Sequence, residues 1–358
     1  MNMRIHAISF RVLQDSRILL SVKNVLVSIS KYCSTMVHVM KLKSYIFILI
    51  TAMTPLLAGC AKAEVPEEGK LAYRSRGIAQ LTDGDYEGAV ESLTSALSCS
   101  NGLIEQADID ISFYMAVAEY KSGNIEKAYN TVDSIIALRP RDDGAYFVRG
   151  KINLALGNKD GAISDFDKSV SLAPENYDRY VGIYEELHAK GYDSEASGYL
   201  EKALAAGSKL SDYNKGVLEY YMGSYTEART DLENAKKSQN NENVTLYLGK
   251  TYEALGDDTY AMTIYSDYLR ENSSAGRIYE QLAECMLRGG DYNGALETIE
   301  AGLSLGGGEG VAGMMFDRVV AYERLYDFES AKKSMEEYLQ MFPDDEVARR
   351  ENVFLSSR

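Results

Sequence analysis

Leu81-Thr82-Asp83-Gly84-Asp85-Tyr86-Glu87-Gly88-Ala89-Val90-Glu91-Ser92-Leu93 returns 206 residues later as Leu287-Arg288-Gly289-Gly290-Asp291-Tyr292-Asn293-Gly294-Ala295-Leu296-Glu297-Thr298-Ile299. Aligned on its alanine, the pattern recurs at Ala89, Ala128, Ala162, Ala196, Ala228, Ala261, Ala295 and Ala331, spaced 39, 34, 34, 32, 33, 34 and 36 apart. A glycine stands five residues before each of the first seven: Gly84, Gly123, Gly157, Gly191, Gly223, Gly256 and Gly290. The eighth copy has Tyr326 there. Twelve residues after three of the alanines come Pro140, Pro174 and Pro343, which are all the prolines after Pro66.

Each mark has a physical reading. Upstream of the glycine, apolar and small residues fall at helical spacing, as in Tyr247, Leu248, Tyr252 and Leu255. Glycine takes the left-handed conformation that ends a first helix. Asp85-Tyr86-Glu87 or Asp291-Tyr292-Asn293 then opens a second helix. The alanine sits where the second helix faces the first, and a bulkier apolar residue follows four positions on: Leu93, Val132, Phe166, Leu200, Leu232, Tyr265, Ile299 and Met335. Proline after the second helix stops it.

These residues resemble the tetratricopeptide repeat over about residues 71–343, in eight copies. The resemblance places a small residue in the first helix, here Gly77, Ala116, Gly150, Gly216, Gly249 and Ala283, with Tyr184 and Val319 departing. Tyr73, Tyr146, Tyr180 and Tyr279 stand where the family has its tryptophan. A second small position departs at Ile135, Tyr268 and Tyr338, which predicts splayed helix pairs there. The implied fold class is all-α, a right-handed α-α superhelical solenoid of about eight tetratricopeptide-like helix pairs. Residues 71–345 form the solenoid, residues 346–358 a capping helix with a frayed tail, and the long first interval an insertion around 100–107.

The N-terminal residues read as an address. Lys41 and Lys43 precede an apolar run from Tyr45 to Leu57, too short for a bilayer span of roughly 20 residues. The run ends Leu57-Ala58-Gly59-Cys60, which resembles the lipobox of bacterial lipoproteins. That resemblance implies a signal peptide at 40–59 and a lipidated Cys60. It further implies a chain exported and tied to a bacterial membrane on its extracytoplasmic face. Residues 1–39 are a doubtful leader, consistent with translation starting at Met36 or Met40. Residues 60–70 read as a flexible tether.

Charge narrows the function. The chain has 38 basic and 53 acidic residues, and seven basic but one acidic lie before residue 60. A body that acidic repels phosphate backbones, so no nucleic-acid partner is expected. His188 is the sole histidine beyond residue 60, and no catalytic set, metal site or cofactor motif assembles. Leu305-Gly306-Gly307-Gly308-Glu309-Gly310 lacks the Lys-Ser/Thr of a phosphate loop. Cys99 and Cys285, six repeats apart, are expected to be free buried thiols.

The expectation is a non-catalytic scaffold that binds a protein or peptide. In the resembled family, first-helix residues line a concave groove. Carried over, these positions give Arg74, Phe113, Tyr120, Phe147, Lys151, Tyr213, Tyr220, Tyr221, Lys250 and Phe316, with an acidic C-terminal stretch at Glu280, Glu284 and Glu323. The family's two-carboxylate clamp fails at Ile78, Val117, Tyr114 and Val148. Two alternatives stay open: a glycan- or nutrient-binding surface lipoprotein, and an assembly factor for an envelope pilus or secretion machine.

Overall fold

The computed structural model describes residues 67–82, 84–100, 102–205, 210–308, 310–343 and 345–357. Cys60 and the expected signal segment lie outside them. The described residues form seventeen helices and no strand. The chain divides into two compact units at Pro140 and Arg141. In the first lie α1 (Glu67–Thr82), α2 (Tyr86–Ser98), α3 (Gln106–Lys121) and α4 (Ile125–Leu138). The second begins with α5 (Asp143–Ala155), α6 (Lys159–Leu172), α7 (Tyr177–His188), α8 (Asp193–Leu204), α9 (Asp212–Tyr221) and α10 (Tyr225–Ser238). It continues with α11 (Glu242–Ala254), α12 (Asp258–Glu271), α13 (Gly276–Gly289), α14 (Tyr292–Leu303), α15 (Val311–Arg324), α16 (Phe328–Met341) and α17 (Glu346–Leu355). These are the eight expected pairs, α1/α2 through α15/α16, with α17 after them. One boundary moves. Glu67–Lys70, read from sequence as tether, belong to α1, where Lys70 is buried and its Nζ lies 2.6 Å from Asp108 Oδ1.

The seam inside each pair is closed by size complementarity. All eight repeat alanines are fully buried. Where the first helix carries glycine, the second supplies the bulk. A Cβ on Gly77 would lie 2.6 Å from Leu93 Cγ, one on Gly150 2.4 Å from the Phe166 ring, and one on Gly249 2.2 Å from the Tyr265 ring. Contacts under about 3 Å cannot be relaxed in an interior packed to crystal density, so glycine is required there. Each Leu or Phe hidden in this way contributes roughly 1.5–3 kcal/mol. At Ile135, Tyr268 and Tyr338, where the sequence predicts splaying, the seam is still covered. All three are buried, and Val132, Tyr265 and Met335 beside them are completely covered, so the larger residue is taken up by the seam.

The inter-helix turn is the same in all eight copies. Its glycines have φ near +80°, and Tyr326 has φ +61°, the one positive-φ non-glycine among the described residues. The residue after it donates its N–H back to the first helix: Asp85 to Gln80 O at 2.9 Å, Asn158 to Asn153 O at 2.8 Å, Asp327 to Tyr322 O at 2.9 Å. That closes the first helix as a Schellman motif. The same residue often caps the second helix. Asp85, Asn158, Asp257, Asp291 and Asp327 each accept from the N–H three residues on.

A feature the sequence reading missed lies three residues past the small position. Polar groups pair there across the seam: Ser92 to Gln80 at 2.6 Å, Thr131 to Glu119 at 2.7 Å, and Asn153 to Asp165 at 3.0 Å. In α9/α10 this rung is two carboxylates, Glu219 and Asp231. Lys215 Nζ lies 3.3 Å from the former and 2.6 Å from the latter.

Candidate binding surface

Within each unit a first helix meets the first helix of the next repeat, α1 with α3 and α5 through α15 in turn, and this decides which expected groove residues stay accessible. The position fifteen before the repeat alanine holds Arg74, Phe113, Phe147, Val181, Tyr213, Leu246, Glu280 and Phe316. Phe113, Phe147, Val181 and Leu246 among them are drawn inward. Phe147 is only 2% exposed: its ring packs 5.8 Å from Phe166, the Arg179 guanidinium sits 4.4 Å above it, and its edge approaches Gly182 on α7. Phe113 is buried as well. Lys151 is buried, with Nζ 2.7 Å from Glu186 Oε1 and 5.6 Å from the Phe147 ring centre. Phe147 and Lys151 are therefore repeat-to-repeat packing and Phe113 is buried core, and none of the three is placed to touch a ligand. The sequence register places them on the inter-helix face without saying how much of it the next helix covers.

The other candidates are half-buried. The Arg74 guanidinium lies 5.4 Å over the Tyr114 ring. Phe316 packs edge-on to Tyr338 of α16 at 5.7 Å. Lys250 lies in the field of the Glu284 carboxylate. Tyr120 stays half-buried on α3.

Tyr213, Tyr220 and Tyr221 are brought together, and with partners the sequence reading did not assign. The Tyr213 ring lies 6.2 Å from Tyr247; Tyr220 lies 5.5 Å from Tyr221, 5.7 Å from Tyr225 and 5.8 Å from Tyr247. Tyr221 lies 5.6 Å from Tyr184, whose ring stacks on His188 at 5.4 Å and 7°. Edge-to-face and stacked contacts at these separations add about 0.5–1.5 kcal/mol each beyond area burial. The Tyr221 hydroxyl donates to Glu185 Oε1 at 2.8 Å and lies 3.3 Å from the Tyr247 hydroxyl. Burial pushes the Tyr247 phenol up to about 12, and burial raises Tyr213 and Tyr221 as well, so these hydroxyls stay protonated donors. The result is an aromatic surface built from three consecutive first helices, α7, α9 and α11, with the start of α10. The available signal was Tyr247, one residue past Leu246, the counterpart of Tyr213 in the next repeat. Tyr184, a departure from the small position, was the other.

His188 is exposed, with Nδ1 2.5 Å from Asp193 Oδ1. Cys99 and Cys285 are both free; Cys285 is buried as expected, but Cys99 is only half-buried. Glu253, Asp258 and Cys285 converge within ligand distance of one another, yet a cation already sits among them. The Arg288 guanidinium lies 2.6 Å from Glu253, 3.1 Å from Asp258 and 3.1 Å from Cys285 Sγ. Burial pushes the Cys285 thiol up to about 12, so beside Arg288 it rests as a protonated thiol.

The acidic stretch expected toward the C-terminus is present. Asp317 on α15 faces Glu280 and Glu284 of α13, and burial with those two charges pushes its carboxyl up to about 7. No helix among the described residues is long and apolar enough to cross a membrane.

Comparison with known proteins agrees with the repeat reading. A tetratricopeptide repeat family profile matches residues 115–177. The TPR repeat-containing protein MJ1428 of Methanocaldococcus jannaschii is 24% identical over 236 residues; the match covers 63% of this chain and 41% of the relative, so the chain spans under half of that protein's length. Among solved structures, a tetratricopeptide repeat protein of Parabacteroides merdae is similar at 15% identity and a TM-score of 0.46, over 81% of this chain and all of that one. The pilF protein of Pseudomonas aeruginosa is similar at 19% identity and a TM-score of 0.38, over 62% of this chain and all of that one. Residues 115–177 match the tetratricopeptide repeat profile, and the same turn, seam and alanine recur in the pairs on either side of them.

Proposed function

We propose that this chain is a membrane-anchored tetratricopeptide-type scaffold without catalytic activity, which holds a protein or peptide partner on the first-helix layer of its second unit. The observation that carries this reading is the aromatic surface of Tyr184, His188, Tyr213, Tyr220, Tyr221 and Tyr247. Half-buried tyrosines held by one another are pre-ordered and lose little freedom on binding, as interface anchors do. The acidity of the body argues against a nucleic-acid partner. The anchor is lipid on Cys60, cut from a signal at 40–59, with the folded part on the extracytoplasmic side of a bacterial membrane.

Crosslinking in intact cells followed by capture of the chain tests the partner surface. Tyr213→Ala, Tyr220→Ala and Tyr221→Ala combined are expected to abolish partner capture while the helical circular-dichroism signal persists. Phe147→Ala, which weakens packing alone, is expected to keep the partners below its melting temperature. An unchanged partner set in the triple variant overturns the assignment. Labelling with a clickable fatty acid tests the anchor: wild type is expected to take the label and Cys60→Ser to lose it.

A further inference from the structure

Within residues 67–140, the large apolar side chains that remain exposed are Leu71 (56%), Tyr73 (37%), Leu103 (74%), Ile104 (50%) and Leu138 (44%). They share one end of the unit. Leu71 and Tyr73 lie in the first two turns of α1; α2 and α4 run back antiparallel, so the connection between α2 and α3 and the last residue of α4 return to the same end. Side chains tie these pieces together. Lys70 Nζ lies 3.6 Å from Glu105 Oε2 and 2.6 Å from Asp108 Oδ1, and Arg139 donates to Gln106. The opposite end carries the turns at Gly84 and Gly123, where no large apolar residue is exposed. The connection from Cys99 to Glu105 is also longer than the repeat requires: the interval from Ala89 to Ala128 is 39 residues where most are 32–34, and Leu103 and Ile104 occupy the addition.

A soluble unit gains nothing by placing all such side chains at one end, and patches of this kind mark a contact surface. The chain enters the fold at this end. Cys60 precedes the first residue of α1 by seven positions, a span of at most about 25 Å. We propose that the Leu71, Leu103, Ile104 and Leu138 end of the first unit rests in the bilayer interface beside the anchor, as a second membrane contact. The proposal rests on the reading of Cys60 as lipidated. A lipid on a short tether fixes distance from the membrane but leaves orientation free. Aliphatic side chains entering the headgroup boundary fix orientation, with the α1–α4 helix ends toward the lipid.

The sequence contains no tryptophan, so a single introduced one reports its own surroundings. Leu103→Trp in the lipidated full chain, reconstituted in phosphatidylcholine–phosphatidylglycerol vesicles, is expected to show blue-shifted emission and strong quenching by brominated acyl chains. Glu126→Trp, at an exposed site beside the Gly123 turn at the opposite end of the same unit, is expected to show neither. Absence of bromolipid quenching at residue 103, in protein that still floats with the vesicles, overturns the second contact and leaves the anchor standing. A blue shift without quenching means that protein covers the loop, and overturns it equally. If Cys60→Ser floats as wild type does, the lipidation reading fails, while quenching at residue 103 continues to judge the loop by itself.

Discussion

In the sixth helix pair, a glycine on α11 faces a tyrosine on α12: Gly249 lies against Tyr265, which is fully buried and donates from its hydroxyl to Glu253. In the fourth pair the corresponding residues are Tyr184 on α7 and Leu200 on α8. Leu200 is also fully buried, with Ile183 and Leu187 beside it, but Tyr184 is only half-covered. Its ring cannot share the seam with Leu200 and leaves it, to stack on His188 and meet Tyr221 of the next first helix. One position thus has two uses. Where it is small, the pair closes on itself; at Tyr184 the ring is exported to the surface between repeats, whereas Val319, the other departure, is short enough to stay buried. The candidate binding surface begins where the repeat's packing rule is broken.

This contrast predicts unequal costs. Gly249→Val puts a branched side chain where even a Cβ would lie 2.2 Å from the Tyr265 ring. It is expected to destabilise the chain by about 3 kcal/mol, at the upper end of overpacking costs, read from urea unfolding. Tyr184→Ala removes only ring contacts at the surface and is expected to cost about 1 kcal/mol. Equal losses would break the distinction between a closed seam and an exported side chain.

The aromatic surface itself can be dissected with one atom. Tyr221→Phe keeps the ring contacts to Tyr184, Tyr220 and Tyr247 but removes the hydroxyl that donates to Glu185. Leaving Glu185 without that donor is expected to cost about 1–2 kcal/mol. Partner capture at saturating stability should survive if the rings do the holding. Capture that falls in proportion with the lost hydroxyl would shift the assignment from rings to polar groups.

How much of this was legible follows from which forces act within one pair and which between pairs. The alanines, the turn glycines and their bulky partners are local: a helix, a turn and a helix confined to about 34 residues. Their periodicity therefore appeared in the sequence and the structure reproduces it, down to Tyr326 in the place of glycine. Burial of Phe147 and Lys151 depends on how far the next first helix advances over them, and nothing in their own repeat encodes it. The polar rung was missed for a related reason. Gln80/Ser92, Glu119/Thr131 and Asn153/Asp165 share chemistry but not residue type, so no single letter recurs. Tyr247 was overlooked because it lies one residue after Leu246, the position at which the groove register was read.

The rung supplies a pH test of the same contrast. Glu219, buried beside Asp231 with Lys215 opposing, is pushed up to about 7. Burial and Glu351 do the same to Glu323, and burial with Glu284 and Glu280 does so to Asp317. A carboxyl whose folded pKa is raised binds its proton more tightly when folded. Its stabilisation is complete below the ordinary carboxylate range and is lost as pH rises through about 7. The melting temperature is expected to fall as pH rises from about 5 to about 7 and to level off above that. Glu219→Gln, which can donate to Asp231 at every pH, should flatten that fall in part, whereas Glu119→Gln in the Thr131 rung should flatten it less. Identical slopes in all three proteins would remove Glu219 from the account.

The smallest effect concerns the turn. Seven copies place glycine at φ near +80°, and the eighth places Tyr326 at +61°. A side chain in the left-handed region costs roughly 1–2 kcal/mol, which glycine avoids at the price of a more flexible unfolded chain. Tyr326 has little to lose in exchange, since it is 82% exposed and its ring touches Phe328 at 6.4 Å. Tyr326→Gly is therefore expected to stabilise the chain by about 0.5–1 kcal/mol, raising the melting temperature by a few degrees at most. The reverse change in a neighbouring turn, Gly256→Tyr, should destabilise by a similar amount, because a Cβ there meets nothing within 4 Å and only the backbone objects. If Tyr326→Gly destabilised instead, the exposed ring would be making a contact worth more than the strain of its own backbone. The eighth turn would then join the fourth pair as a place where the repeat yields its rule to the surface.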